Sequence, residues 1–388
     1  MNQFADAVII GGGVIGTSIQ FALASKGIKN SILVEKNSLG SGSTGRSQAI
    51  LRMHYSNEVT TLLAWKSLDI FKNFADITGS SSGYTQTGYL LITDITEKAS
   101  MQTNLQMMKS KGVRTEMLSK TELAEIAPSI SVSENETMCF EPESGFADPN
   151  LVTNGFANKS KQMGSKILLQ TLVESIDIKN CKVQSIKTKN GKIFTDTLII
   201  AAGPWTKNLM SKLGIELPLD TVRHQVVLLK NTSPHLINHP IIGDTISGLS
   251  VRPESNNITM IGTGEDEISE PESFNQGVDE NIVRSSFLNL SKRLAGISNS
   301  HFFGGWSGLF TITPDWHPIL GKAEGIDGLY LATGFSGHGF KLSPMVGLAM
   351  SDLIVGKTST DVDISELNLS RFAKDKQLKS RYKMKVLA

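Results

Sequence analysis

The sequence predicts an α/β fold with a parallel sheet, joined to an α+β unit built on a mostly antiparallel sheet. Three observations carry this. Ala7 to Ile10 is a short apolar run closed by glycines, and the helical stretch behind it leads to a second apolar run, Ile32 to Val34; strand, helix and strand within about 30 residues make a βαβ unit. The same texture returns near the end, where Leu329 to Ala332 precedes a glycine-rich turn and a helix. Between about 216 and 303, strand-like stretches dominate. A chain of 388 residues exceeds the size at which one core keeps growing, so two domains are expected.

Taken in order, the first helix carries Ile15, Ile19 and Ala22 on one face and stops at Gly27. Asn57 caps a helix with Val59, Leu62, Leu63, Ile70 and Phe74 near a 3.6 period. Residues 84–145 mix strands, such as Tyr89 to Ile92, with helical pieces, one opened by a Ser119/Glu122 capping box and closed before Pro128. Asp148 and Pro149 start a helix that runs to about Gly164. Ile167 to Leu169, Val183 to Thr188, Leu198 to Ile200, Val226 to Leu229 and Ile258 to Ile261 read as strands. The last helix is expected to have Ser343 as cap, Pro344 in its first turn and Gly356 as its stop.

Composition excludes several classes. The net charge is +1 and no Lys/Arg run interleaves with aromatics, so nucleic acid is not expected as a partner. The basic stretch Lys374 to Lys385 reads as a solvated tail. No run reaches about 18 apolar residues, so neither a membrane span nor a signal peptide is expected. Cys139 and Cys181 have no metal-like or CxxC spacing, which points to a reducing cytoplasm. His235 and His239 are spaced for a metal but bracketed by Pro234 and Pro240, and read as a surface loop with no metal.

Gly11-x-Gly13-x-x-Gly16 is weak alone, but here it follows a buried strand, opens a helix, and has Glu35 at the end of the next strand. Gly11 permits the tight turn, Gly13 admits a pyrophosphate to the positive helix end, and Gly16 lets the helix meet the sheet. Glu35 can accept hydrogen bonds from ribose hydroxyls. This unit alone leaves NAD and FAD both open. Further glycine-rich turns at Gly40 to Gly45, Gly203 and Gly334 to Gly339 suit a long cofactor threaded along the sheet edge.

Together with Ala201-Ala202-Gly203-Pro204-Trp205, Trp306-Ser307-Gly308-Leu309, Thr313-Pro314-Asp315 and the block Gly334 to Lys341, these features resemble the D-amino-acid-oxidase family of flavoproteins. Within it the likeness is to the sarcosine oxidases, monomeric and β-subunit, and to glycine oxidase. The resemblance implies FAD, with Gly11, Gly13, Val14, Ile15, Gly16, Glu35, Lys36, Ser43, Thr44, Arg46, Ser47 and Val173 along it. It also implies Ala202, Gly203, Trp205, Gly308, Gly334, Ser336, Gly337, His338, Gly339, Phe340 and Lys341 there. The family's flavin-tethering cysteine falls at Gly308, so a non-covalent cofactor is expected. Residues 1–83, 146–215 and 304–388 then form the FAD-binding domain, and 84–145 with 216–303 the substrate domain.

The resemblance further implies a catalytic set of Arg52, Lys341 and His338, with Arg52 and Lys341 clamping a substrate carboxylate. His54 and Tyr55 are read as lining the same pocket or as core. The expected reaction is oxidation of the C–N bond of a small amino acid or N-methyl or secondary amino acid, sarcosine- or proline-like, by hydride transfer to flavin N5. The alternatives are a glycine- or D-amino-acid-type oxidase of primary amines, or a non-catalytic FAD-binding assembly subunit. Met260 falls where the sarcosine oxidases carry an oxygen-activating lysine, which leaves the acceptor as oxygen or another redox partner. The chain is a possible oligomer.

Overall fold

The computed structural model describes residues 2–232, 236, 238–263, 267–357 and 361–383. A six-stranded sheet runs in the order Lys166–Leu168, Ser31–Val34, Ala7–Ile10, Leu198–Ile200, Leu329–Thr333, Ile319–Lys322. Its first five strands are parallel and the last is antiparallel. Ala7–Ile10, Ser31–Val34 and Leu198–Ile200 are buried at every position, as strands covered on both faces must be. Helices Val14–Ser25 and Gly339–Ile354 lie close on one face, where Ser18 Oγ donates to the Ser343 carbonyl at 2.7 Å.

A nine-stranded sheet forms the second layer and is antiparallel except where Ile241–Asp244 runs parallel to Tyr89–Asp94. One face packs Leu90, Ile92, Val227, Val251 and Ile261 against helix Glu280–Arg293. The other face, with Tyr89, Leu91 and Cys139, joins the core of the parallel-sheet unit. Strand His301–Ile312 pairs along its length with Asp220–Lys230, and near its end the Thr311 carbonyl accepts from Ser336 N–H in the turn after the parallel strand Leu329–Thr333.

The structure corrects four expectations. Helix Gly339–Ile354 begins with His338 as N-cap, and Pro344 lies inside it. Proline tolerates this position because Ser343 Oγ donates to the Phe340 carbonyl at 2.8 Å, the group that the missing Pro344 N–H would have served. His239 is buried rather than at a surface, its pKa lowered by burial, while His235 lies outside the described residues. The C-terminal segment is docked: Arg381 bonds Ser56 and Asn104, and Tyr382 is buried against His54. Glu280–Arg293 is a helix within the stretch expected to be mostly strand. Among the described residues, no cluster of three His, Cys, Asp or Glu could hold a metal, and no helix is long and apolar enough to cross a membrane.

Candidate active site

A cavity of about 680 Å³ lies at the carboxyl ends of the parallel strands, where the chain order switches between Ala7–Ile10 and Leu198–Ile200. Gly11 turns there at φ 116°, and a Cβ on it would sit 2.2 Å from the Ala201 carbonyl oxygen. Glu35 is fixed by two backbone donors, Gly12 N–H and Asn37 N–H, both at 2.7 Å. Thr44 Oγ1 accepts from Val14 N–H at 3.1 Å and ties the loop after Glu35 to the helix start. That helix has glycine as its N-cap residue, which has no side chain to cap the turn, and no acidic residue in its first turn, so apart from the Val14 amide taken by Thr44 its positive end is open to an anion.

The cavity wall takes in Gly11, Gly13, Val14, Ile15, Glu35, Lys36, Ser43, Thr44, Ser47, Val173, Ala202, Gly203 and Trp205. It continues through Leu309 to Thr311, Gly334, Ser336, Gly337, Gly339 and Phe340. Ser336 is held at φ 48°, its N–H donating to the Thr311 carbonyl at 2.9 Å, and this strain places the turn against the cavity. Five expected cofactor-binding residues stand off the wall: Gly16, Arg46, Gly308, His338 and Lys341. Gly16 packs against the Gly11 carbonyl; Gly308 lies under the Arg46 side chain, whose guanidinium turns out to Ser41, Gly42 and Gln276; and His338 is buried behind the turn.

Arg52 and Lys341 also lie behind the wall, both buried. Arg52 Nη1 donates to the His54 carbonyl, and its guanidinium sits 4.6 Å from the Tyr55 ring centroid. Tyr55 meets His338 edge-on at 5.2 Å, and burial pushes its hydroxyl up to about 12. Burial, and then the Arg52 charge, hold the Lys341 ammonium well below the usual lysine range. The strand ending at Leu51 gives way to irregular backbone over residues 52–56, and side chains hold this segment in place. Glu141, fully buried, accepts from Met53 N–H at 2.9 Å and Ser144 Oγ at 2.7 Å, with its other oxygen 3.5 Å from His54 Nδ1. His54 Nε2 is 2.7 Å from Tyr382 Oη.

The family model described as FAD dependent oxidoreductase (DAO) matches residues 6–353. The chain belongs to this family. It is 26% identical over 383 residues to monomeric sarcosine oxidase of Bacillus sp. (strain B-0618), covering 95% of this chain and 97% of that one. It is 23% identical to 4-methylaminobutanoate oxidase (formaldehyde-forming) of Paenarthrobacter nicotinovorans, covering 94% of this chain but spanning only 45% of that longer protein. Among solved structures, L-proline dehydrogenase from P. horikoshii superposes with a TM-score of 0.89 at 28% identity, covering 98% of this chain and 100% of the other.

As in the rest of this family, the cofactor is FAD, and the cavity fits it on independent grounds. Its volume is in the range of a cofactor site, its glycine turn leaves no room for side chains, and a helix end with a glycine N-cap and no acidic residue in its first turn faces it. Sequence reasoning missed Glu272, which lines the cavity from the second layer, and Glu141. Lys36 and the Met53 amide, which they bind, lie 236 and 88 residues away in sequence, so no local pattern ties them to the site.

Proposed function

We propose that this flavoenzyme oxidises the C–N bond of a small secondary or N-methylated amino acid, sarcosine- or proline-like, with FAD held non-covalently. The observation that carries the proposal is the pairing of two buried basic side chains, Lys341 and Arg52, with the Lys341 ammonium disfavoured by burial and by the Arg52 charge. An amino-acid carboxylate would favour that ammonium, while Arg52 offered the carboxylate a planar fork. The likeness to L-proline dehydrogenase and monomeric sarcosine oxidase supports a secondary amine, and the similar likeness to glycine oxidase keeps a primary amine as the alternative.

In this reading residues 1–83, 146–215 and 304–388 form the FAD-binding domain, and 84–145 with 216–303 the substrate domain. The turn from Gly11 to Gly16 takes the pyrophosphate, Glu35 the ribose, and the Gly334 to Phe340 turn the ring system, with His338 beside it. FAD, when bound, supplies the two-electron acceptor for the hydride. Arg52 and Lys341 hold the carboxylate so that the C–H bond faces that acceptor. Two free cysteines, one buried and one exposed, suit a reducing compartment, and the proposal places the enzyme in the cytoplasm.

The test is anaerobic bleaching of the yellow protein by sarcosine, proline, glycine, D-alanine and an N-methyl amine lacking a carboxylate. Sarcosine or proline should bleach it fastest and the carboxylate-free amine far more slowly. Faster bleaching by glycine or D-alanine would overturn the choice of a secondary amine. Bleaching by none of them would leave the assembly role.

A further inference from the structure

Across the mouth of the cofactor cavity, three side chains from distant parts of the chain close on one another. Glu272 Oε1 accepts from Lys36 Nζ at 3.0 Å and from Trp205 Nε1 at 2.5 Å, while Lys36 Nζ lies 3.8 Å from the Trp205 ring centroid. All three line the cavity. Lys36 follows the strand that ends the nucleotide-binding unit, and Trp205 ends the turn after Leu198–Ile200. Glu272 belongs to the other layer, in the loop between strand Glu267–Ile268 and helix Glu280–Arg293.

That loop hangs from a rigid anchor. Arg223, buried on strand Asp220–Lys230, donates to the carbonyls of Asn275 and Gly277, both at 2.9 Å, and binds the Asp279 carboxylate at 2.6 and 2.9 Å. A second tie runs from Arg46 Nη2 to Gln276 Oε1 at 2.7 Å. The loop is thus fixed at its base, and its tip reaches over the groove to Lys36. The tip contact is the weaker part: the Glu272 side chain is 71% exposed and that of Lys36 26%. An ion pair so open to water is modest in strength and sensitive to salt.

We propose that Glu272 is a cofactor-retaining residue: with Lys36 and Trp205 it latches the substrate-domain loop over the cavity mouth, and opening of this latch sets the rate at which FAD leaves. The inference rests on FAD being the group in the cavity. A non-covalent cofactor has no tether, and a cation stacked on an indole makes a lid that needs its carboxylate to stay shut. Since the contact spans the two layers, the latch also ties cofactor retention to the seating of the substrate domain.

The experiment follows flavin fluorescence as holoenzyme is diluted into an FAD scavenger, comparing wild type, Glu272→Ala and Glu272→Gln at low and high salt, with circular dichroism confirming each fold. Glu272→Ala should release FAD roughly 3- to 10-fold faster at low salt, as expected for a surface charge-assisted contact. Glu272→Gln, which keeps an acceptor for Trp205, should fall between, and high salt should bring wild type toward Glu272→Ala. Equal release rates for wild type and Glu272→Ala at low salt would overturn the latch. A wild-type protein that binds no FAD would overturn the cofactor assignment itself, which flavin content measures separately.

Discussion

Arg52 and Lys341 lie in one buried layer, where burial and the Arg52 charge disfavour the Lys341 ammonium and a bound carboxylate would favour it. A hydrogen bond to a charged group is worth about 1.5–3 kcal/mol, so Arg52→Ala and Lys341→Met should each lower kcat/KM for amino-acid substrates roughly 10- to 100-fold. Flavin content should be unchanged in both. Steady-state rates matching wild type in the two variants would remove the carboxylate clamp. A second single residue controls stability instead. His317 is buried with Nδ1 3.2 Å from Thr60 Oγ1 and Nε2 3.2 Å from Asn57 Nδ2, and burial lowers its pKa from 6.5 to about 4. Its folded pKa lies below its unfolded one, so between about pH 4 and 6.5 the unfolded chain binds more protons. The stabilisation is therefore complete above pH 6.5 and is lost as pH falls toward 4. In a thermal melt series, His317→Gln should show a shallower fall of Tm across that window; an identical slope would reject the assignment.

Helix Gly339–Ile354 is the element whose start was misread, and its repair can be tested directly. Ser343→Ala leaves the Phe340 carbonyl without the hydroxyl that serves it, at a cost of about 1–3 kcal/mol for a buried unsatisfied group. Pro344→Ala restores the backbone donor, so the double variant should melt above Ser343→Ala alone; a lower Tm for the double would show that the two residues are not coupled. Elements closed by local chemistry were legible in the sequence. Asn57, Ser119 and Asp148 each accept from an amide two or three residues along, and all three caps form as expected. Helix Glu280–Arg293 was not legible because its buried face is Ile282, Ser286, Leu290 and Arg293, half of it polar. That arginine is buried by Glu136 and Asp244, ion pairs with no trace in the local pattern. The site divides in the same way. The glycine turn and Glu35, which line the cavity, could be read from one βαβ unit, whereas Glu141 and Glu272 depend on strands and loops that meet only in the folded chain.

At the scale of the whole molecule, the antiparallel sheet turns one face to the parallel-sheet unit, and the charges carried there bear on the prediction for the electron acceptor. Met260 and Arg252 are cross-strand partners, and the Arg252 guanidinium lies 4.1 Å from the Phe146 ring centroid, next to the strand that leads to Arg52. Gln48 Nε2 reaches the carbonyls of Ser250 and Met260, pinning the sheet to the segment before Arg52. Oxygen reduction begins with a one-electron transfer that creates superoxide, and a fixed cation nearby lowers that barrier. Met260 supplies no charge, and the charge of Arg252 is offset by its ion pair with Glu254. Lys341 is held toward its neutral form by burial and by Arg52, which weakens it as a substitute. The reduced enzyme should therefore react slowly with oxygen and pass its electrons to another acceptor. Reduction under anaerobic conditions, followed by mixing with aerated buffer, measures this through the return of yellow colour. Met260→Lys should accelerate that return if its ammonium stays charged in the interface. Rapid reoxidation of the wild type would instead identify an oxidase and place the activating charge on Arg52 or Lys341, whose variants would then lose it.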